Sequence, residues 1–329
     1  MQTLAMPHQL NISINACLGK KEGLRTITLT SVLYAVWNRA QNNVRNWELE
    51  NMKDFDTCKP GSSALLAALG RALQAEIAEM RNQKIGTFFH DYQKFFDSLD
   101  VSELLEQALH TSYPPVHLAF AIQQHVAPRV IKLQNFIGRP IEVYNSIIAG
   151  CLQSVPMTRV YLQQGIEKVV SEENAVSEVN IANLSQSREC ELVGVTCDRE
   201  MARTQLYVDD CAQSSRDKCG GIVHNRLGNS FYIFHKMNKK LKLTLSEKGV
   251  IVANCPKLAK RLQTELLQLH GIKYNIKKST RDLGISHTAG TCKPNQLLLE
   301  RLHGKEIRIS KIGRISRMHR NGRNLYKGS

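Results

Sequence analysis

Long hydrophobic runs are missing from this sequence. Its longest uninterrupted apolar stretches, Val32–Trp37 and Ala64–Leu69, fall far short of the roughly 20 residues that span a bilayer as a helix. The opening MQTLAMPHQL also lacks the basic-then-apolar order of a secretory signal. An intracellular chain is expected, nuclear or cytoplasmic, not secreted and with no membrane partner. Paired cysteines are scarce as well. The nine Cys (Cys17, Cys58, Cys151, Cys190, Cys197, Cys211, Cys219, Cys255 and Cys292) include no CxxC and none beside a His at zinc-ligand spacing. Reduced thiols are the expectation. Several catalytic signatures are absent too: no GxxxxGK[ST], GxGxxG, HExxH or GxSxG occurs, which weakens dehydrogenase and hydrolase readings.

Acidic charge is in deficit, with 29 Asp+Glu against 44 Lys+Arg, a net charge of +15 and a pI near 9.5. Such a balance suits a polyanionic partner. The excess is concentrated at the C-terminal end, where Glu300–Ser329 holds nine basic and two acidic residues. There Arg308, Lys311, Arg314, Arg317, Arg320 and Arg323 recur at every third position. Three residues fall short of a 3.6-residue turn, so on one straight helix this row would spiral by about 60° per step. A phosphate-contacting element accounts for such density better than a solvated helix face.

With 42% hydrophobic residues the chain can bury sizeable cores. The segment 11–40 reads as strand-rich and merges into a helical pattern. After the Lys59-Pro60-Gly61 turn, Leu65, Leu69, Leu73, Ile77 and Met80 mark one face of a long helix, with Arg71, Gln74 and Glu76 outside. A short aromatic strand follows over 86–96, then a helix opened by Asp100 and Glu103 as a capping box, with Leu104, Leu105, Ala108 and Leu109 as its apolar face. Pro114-Pro115 opens an irregular segment, and 150–162 reads as loop into helix. The stretch 167–200 carries eight acids against three bases and is expected to be a solvated, peripheral connection. A strand–turn–strand signal covers 204–213. Then come a helix from about 227 to 241, a strand over 249–253 and an amphipathic helix over 256–270.

Two acidic sites stand out. Asp91 ends an apolar strand in FFHDYQKFFDSLD, and Asp209-Asp210 lie in LYVDDCA between apolar strands. Carboxylates at strand ends are costly unless something positive neutralises them. Divalent ions would do so, and a polyanion would supply phosphates to complete their coordination. Either site alone is compatible with a plain turn; the two in this order are more specific.

On these residues the chain resembles a reverse transcriptase domain of the non-LTR-like retroelement kind. KKEGLRTITLTSVLYAVWNRA (20–40) is similar to the fingers motif, and CKPGSSALLAALGRALQAEIA to the helix before the first catalytic strand. DYQKFFD (91–97) matches the D-x-x-K-x-F-D motif. GCLQSVPMTRVYL resembles the Pro-Gln-Gly motif, YVDD (207–210) the second catalytic motif, and LTLSEKGVIVA with RDLGIS (281–286) the lysine motif and primer-gripping turn.

The resemblance implies an α+β right-hand polymerase: fingers over 1–85, a palm on a split βαβ, ferredoxin-like sheet over 86–255 with a fingers excursion near 110–145, and a basic thumb over 256–329 that stops short, as in a fragment of a mobile element. It implies RNA-directed DNA polymerase activity on an RNA template and DNA primer with dNTPs. Asp91, Asp209, Asp210 and the Tyr92 carbonyl would hold two Mg²⁺ ions, with Mn²⁺ as a workable substitute. Lys20, Lys21 and Arg25 fall where the triphosphate is gripped, Gln153 where the incoming nucleotide lies, Phe96 at the gate against a ribose 2′-hydroxyl, and Lys248 as an acid for pyrophosphate. The tail residues Arg308 to Arg323 would follow the duplex backbone. Two departures matter: Pro-Gln-Gly is Leu152-Gln153-Ser154 and Arg-Pro-Ile is Arg25-Thr26-Ile27. They leave open a decayed remnant that only binds nucleic acid. An RNA-synthesising relative is disfavoured by bulky Phe96.

Overall fold

The computed structural model describes residues 4–7, 10–19, 24–40, 42–59, 61–184, 202–290, 299, 303, 305–307 and 309–310. Strands β1 (Ser13–Gly19) and β2 (Leu24–Leu29) form a hairpin, followed by helices α1 (Val32–Ala40), α2 (Asn43–Glu50) and α3 (Ala64–Met80). Strand β3 (Lys84–His90) leads into α4 (Phe95–Ser98), α5 (Val101–His110) and α6 (Pro115–His125). Next come β4 (Arg129–Leu133), β5 (Phe136–Ile141) and the long α7 (Ser154–Leu184). A second hairpin, β6 (Arg203–Tyr207) and β7 (Asp210–Asp217), precedes α8 (Gly220–Lys240), β8 (Val250–Ala253), α9 (Pro256–His270), β9 (Asn275–Ile276) and the hairpin β10 (Ser279–Asp282)–β11 (Ile285–Thr288).

The result is a mixed α+β chain with a four-stranded sheet β2-β1-β4-β5, a five-stranded sheet β6-β7-β3-β8-β9 and the separate β10–β11 ribbon. Side chains alternate across a strand, and β3 shows what this does. Phe88 points into a cluster with Val223, Leu227 and Phe231 of α8 and Leu258 and Leu262 of α9. Ile85 points the other way, into a cluster with Ala75 and Ala78 of α3, Val250, Val252 and Ala289. Both faces of the five-stranded sheet are thereby covered. Among the described residues no helix is long and apolar enough to cross a membrane.

Four expectations are corrected. The Leu stripe of α3 faces solvent: Leu65, Leu69, Leu73 and Met80 are exposed, while Ala67, Ala68, Arg71, Ala75 and Ala78 are buried. Small side chains let this helix approach the sheet closely, and Arg71 is buried because an acid meets it there. The segment after Pro114 is α6, with Pro115 at a first-turn position where its missing N–H and fixed φ are harmless. Residues 167–184 belong to α7. Ile166, Val169 and Glu173 are buried there and Glu167 and Glu172 are half-buried, so this stretch is a packed helix that the charge count hid; 185–200 lie outside the described residues. Helix α8 begins at Gly220, because the inward spacing of Ile222, Val223, Arg226 and Leu227 extends the buried face backwards.

The start of α5 follows expectation in part. Asp100 accepts from the backbone N–H of Ser102 and Glu103, whereas Glu103 accepts from Gln107 in place of closing a box. Leu104 and Ala108 are buried; Leu105 and Leu109 are exposed.

Candidate active site

Strands β3 and β7 are antiparallel, with Lys84 opposite Asp217 through to His90 opposite Cys211. Asp91 follows directly on the last pair and Asp210 precedes it on the other strand, and the two line one cleft. Arg71 of α3 and Asp282 of β10 line it as well, so both carboxylates lie on the side of the sheet that faces α3 and the β10–β11 ribbon. Asp209 sits in the tight turn that joins β6 to β7, where Tyr207 pairs with Asp210. Val208 occupies this turn with φ +59°. A β-branched residue in the left-handed region is strained, and such strain gathers at functional sites. The loop after β3 is pinned too: the Ser246 N–H donates to the Asp91 carbonyl at 2.7 Å, and Tyr92 bridges to Leu245.

The electrostatics follow from this crowding. Burial pushes the Asp209 carboxyl above the usual carboxylate range, and the charge of Asp91 adds to the effect. Asp210 is pushed up to about 6, first by desolvation in the cleft and then by Asp209, Asp282 and Asp91, with Arg71 opposing. Asp210 is exposed, and three neighbouring carboxylates act on it in one direction. Among the described residues no three His, Cys, Asp or Glu side chains are gathered closely enough to form a metal cage. Hard oxygen donors that repel one another still suit Mg²⁺, which is held by one or two carboxylates, water and substrate phosphates more often than by an all-protein cage.

Two clefts open beside Asp91. One of about 180 Å³ is lined by Arg71, Asp91, Asp210, Lys248, Arg281 and Asp282, among others. A wider one of about 540 Å³ is lined by Asp91, Tyr92, Lys94, Asp97, Thr244 and Lys248. Lys248 is exposed and lines both clefts. Phe96 is half-buried, its ring packed edge-on against Phe95 at 5.4 Å between centroids. Tyr92 is buried and its hydroxyl donates to Asn238 at 3.0 Å, which leaves its backbone, not its ring, at the site.

Gln153 is buried and engaged at both ends. Its Oε1 accepts from the Tyr113 hydroxyl and its Nε2 donates to Asn38 at 2.8 Å. Arg25 stands on β2 opposite Leu18. Lys20 and Lys21, and the tail residues Arg308, Lys311, Arg314, Arg317, Arg320 and Arg323, lie outside the described residues. The structure adds Arg71, Asp282, Lys94 and Asp97 to the cleft walls. The alternation Thr280-Arg281-Asp282 on a strand and the Ala-rich face of 67–78 were the signals available for the first two.

The chain's described fold resembles solved telomerase structures. Telomerase from Candida albicans in complex with a TWJ fragment of telomeric RNA matches 89% of this chain and 47% of that chain at a TM-score of 0.52 and 10% identity. Apo telomerase from Candida tropicalis, truncated from its C-terminal domain, matches 74% of this chain and 50% of the other at a TM-score of 0.46 and 12% identity. The fold is reverse-transcriptase-like. This chain spans about half the length of the solved chains it resembles. No protein-family model matches it, and no curated protein does.

Proposed function

We propose that the chain is an RNA-directed DNA polymerase domain that extends a DNA primer on an RNA or DNA template from dNTPs. The observation that carries this reading is that Asp91, just past β3, and Asp210, at the start of β7, line one cleft beside the Asp209 turn. In this reading residues 1–85 serve as fingers, 86–255 as palm and 256–329 as thumb.

Asp91, Asp209 and Asp210, with the Tyr92 carbonyl, would hold Mg²⁺, which supplies activation of the primer 3′-hydroxyl and neutralisation of the phosphates. The mutual repulsion of the acids supports this assignment, since a divalent cation at their oxygens relieves it. Lys248 would give a proton or a positive charge to departing pyrophosphate, a role supported by its lining both clefts. Lys94 lines the wider cleft, where a nucleotide would enter; Phe96, packed on the core beside it, would act as the gate against a ribose 2′-hydroxyl. Arg25 with Lys20 and Lys21 would meet the triphosphate, and the Arg308 to Arg323 row the duplex backbone.

A second reading, a decayed domain that binds nucleic acid without extending it, is favoured by Gln153, whose amide is spent on Tyr113 and Asn38. Incorporation of labelled dNTP on a primed RNA template, with and without Mg²⁺, separates the two. Mg²⁺-dependent product supports the polymerase; tight duplex binding with no product supports the decayed domain.

A further inference from the structure

The 180 Å³ cleft has two walls built from distant parts of the chain. One is the carboxylate end of β3 and β7; the other is the β10–β11 ribbon. That ribbon is a sheet of its own, held to the body in part by apolar contacts such as the edge-on stack of His287 on Phe89, 4.9 Å between centroids. Apolar contacts are non-directional and fix position loosely.

One contact is different. Arg71 of α3 reaches Asp282 of β10 with Nε donating to Oδ2 at 2.7 Å and Nη2 to Oδ1 at 2.8 Å. The two side chains are only 3% and 4% exposed. Such a pair adds little net stability, because desolvation offsets the attraction. A planar fork on a planar carboxylate does fix distance and orientation together. Strand alternation then turns Asp282 and Thr280 inward and leaves Arg281 exposed in the cleft wall. The chain reverses directly afterwards, through Leu283 at φ +45° and Gly284 at φ +90°.

We propose that Arg71 and Asp282 are positioning residues whose buried pair locks the 280–283 wall at a fixed height over Asp91 and Asp210. The lock sets where the end of a primer duplex can rest, a role that rests on the polymerase reading above. A primer whose 3′-end is displaced by about 1 Å can lose roughly 100-fold in rate.

The test uses the full chain and the apolar pair Arg71→Met/Asp282→Leu, which fills the same space without a fork. This variant is chosen because Arg71→Ala alone leaves a buried carboxylate unpaired and is expected to unfold the protein. Lys168→Gln serves as a control, since the exposed Lys168 pairs with Glu172 on α7 and lines neither cleft. Two readouts are taken: backbone amide exchange over 279–288 relative to β3 and β7, and extension rate against primer–template concentration.

The apolar pair should keep β3 and β7 protected while exchange over 279–288 rises about tenfold or more. Its kcat/KM for primer–template should fall roughly 100-fold with KM for dNTP unchanged, and the control should change neither readout. Unchanged exchange over 279–288 would overturn the lock. Faster exchange with undiminished use of the primer would overturn the positioning role and reduce the pair to a brace. If the parent chain extends no primer at all, the polymerase reading fails, and the exchange measurement still decides whether the lock exists.

Discussion

The five-stranded sheet is covered on both faces, by α3 and the β10–β11 ribbon on one side and by α8 and α9 on the other. The four-stranded sheet β2-β1-β4-β5 leaves Ile14, Leu18, Ile27, Leu29 and Ile137 exposed. Ile14 pairs with Leu29 and Ala16 with Ile27, so these apolar side chains share one open face. The difference is one of mechanical constraint. Asp91 and Asp210 stand at the end of a sheet whose strands cannot shift without opening a core. The sheet that carries Arg25 has no such constraint on its open face.

The contrast breaks most visibly on core truncation. Phe88 is fully buried, and Phe88→Ala should cost about 3–5 kcal/mol. Ile27→Ala, on the open face, should cost about 1 kcal/mol or less. Urea unfolding monitored by circular dichroism measures both; similar losses would mean that the four-stranded sheet is covered in solution.

A close approach inside the covered region gives a smaller effect. A Cβ on Gly249 would lie 2.2 Å from Tyr274 Cε1, and the Tyr274 ring is fully buried. Its hydroxyl also meets His90 at 2.9 Å, one residue before Asp91. Gly249→Ala should therefore cost about 1–3 kcal/mol through overpacking. Gly61→Ala, where φ is +83° but the space is open, should cost less. Equal shifts in melting temperature would show that Tyr274 can move aside freely.

The smallest effect is a pH dependence on α8. His224 Nε2 lies 2.7 Å from Glu265, and that hydrogen bond raises the His224 pKa above its ordinary value. The folded state thus binds the proton more tightly than the unfolded one. The contribution is fully present below about pH 6.5 and is lost as pH rises through the folded value. Both side chains are partly exposed, so about 1 kcal/mol or less is expected. The stability gap between the parent and His224→Gln should shrink from pH 6 to pH 8; a gap independent of pH would remove the pair from the account.

Much of this arrangement was legible in the sequence where local signals agree. Helix α9 runs from Pro256 to His270 as expected, because a Pro opens it and Gly271, at φ +68°, closes it. The β6–β7 turn with its two acids was legible for the same reason: Leu206-Tyr207 and Cys211-Ala212 flank it. Helix α3 was misread because hydrophobicity alone does not say which face is buried. Ala67, Ala75 and Ala78 bury little area each but permit the closest approach, and Arg71 can go inside only because Asp282, far along the chain, meets it. Long-range pairing of that kind leaves no local trace. The basic row from Arg308 to Arg323 lies outside the described residues, so its geometry adds nothing to the comparison.

Asp91, Asp209 and Asp210 are proposed to act as one metal-dependent site. Asp91→Asn tests it most directly when single-nucleotide extension and duplex affinity are measured on the same preparation. Removing that carboxylate deletes a metal ligand and no phosphate contact, so extension should vanish while the duplex affinity of the folded variant stays at the parent's value. Undiminished Mg²⁺-dependent extension by folded Asp91→Asn would contradict the account.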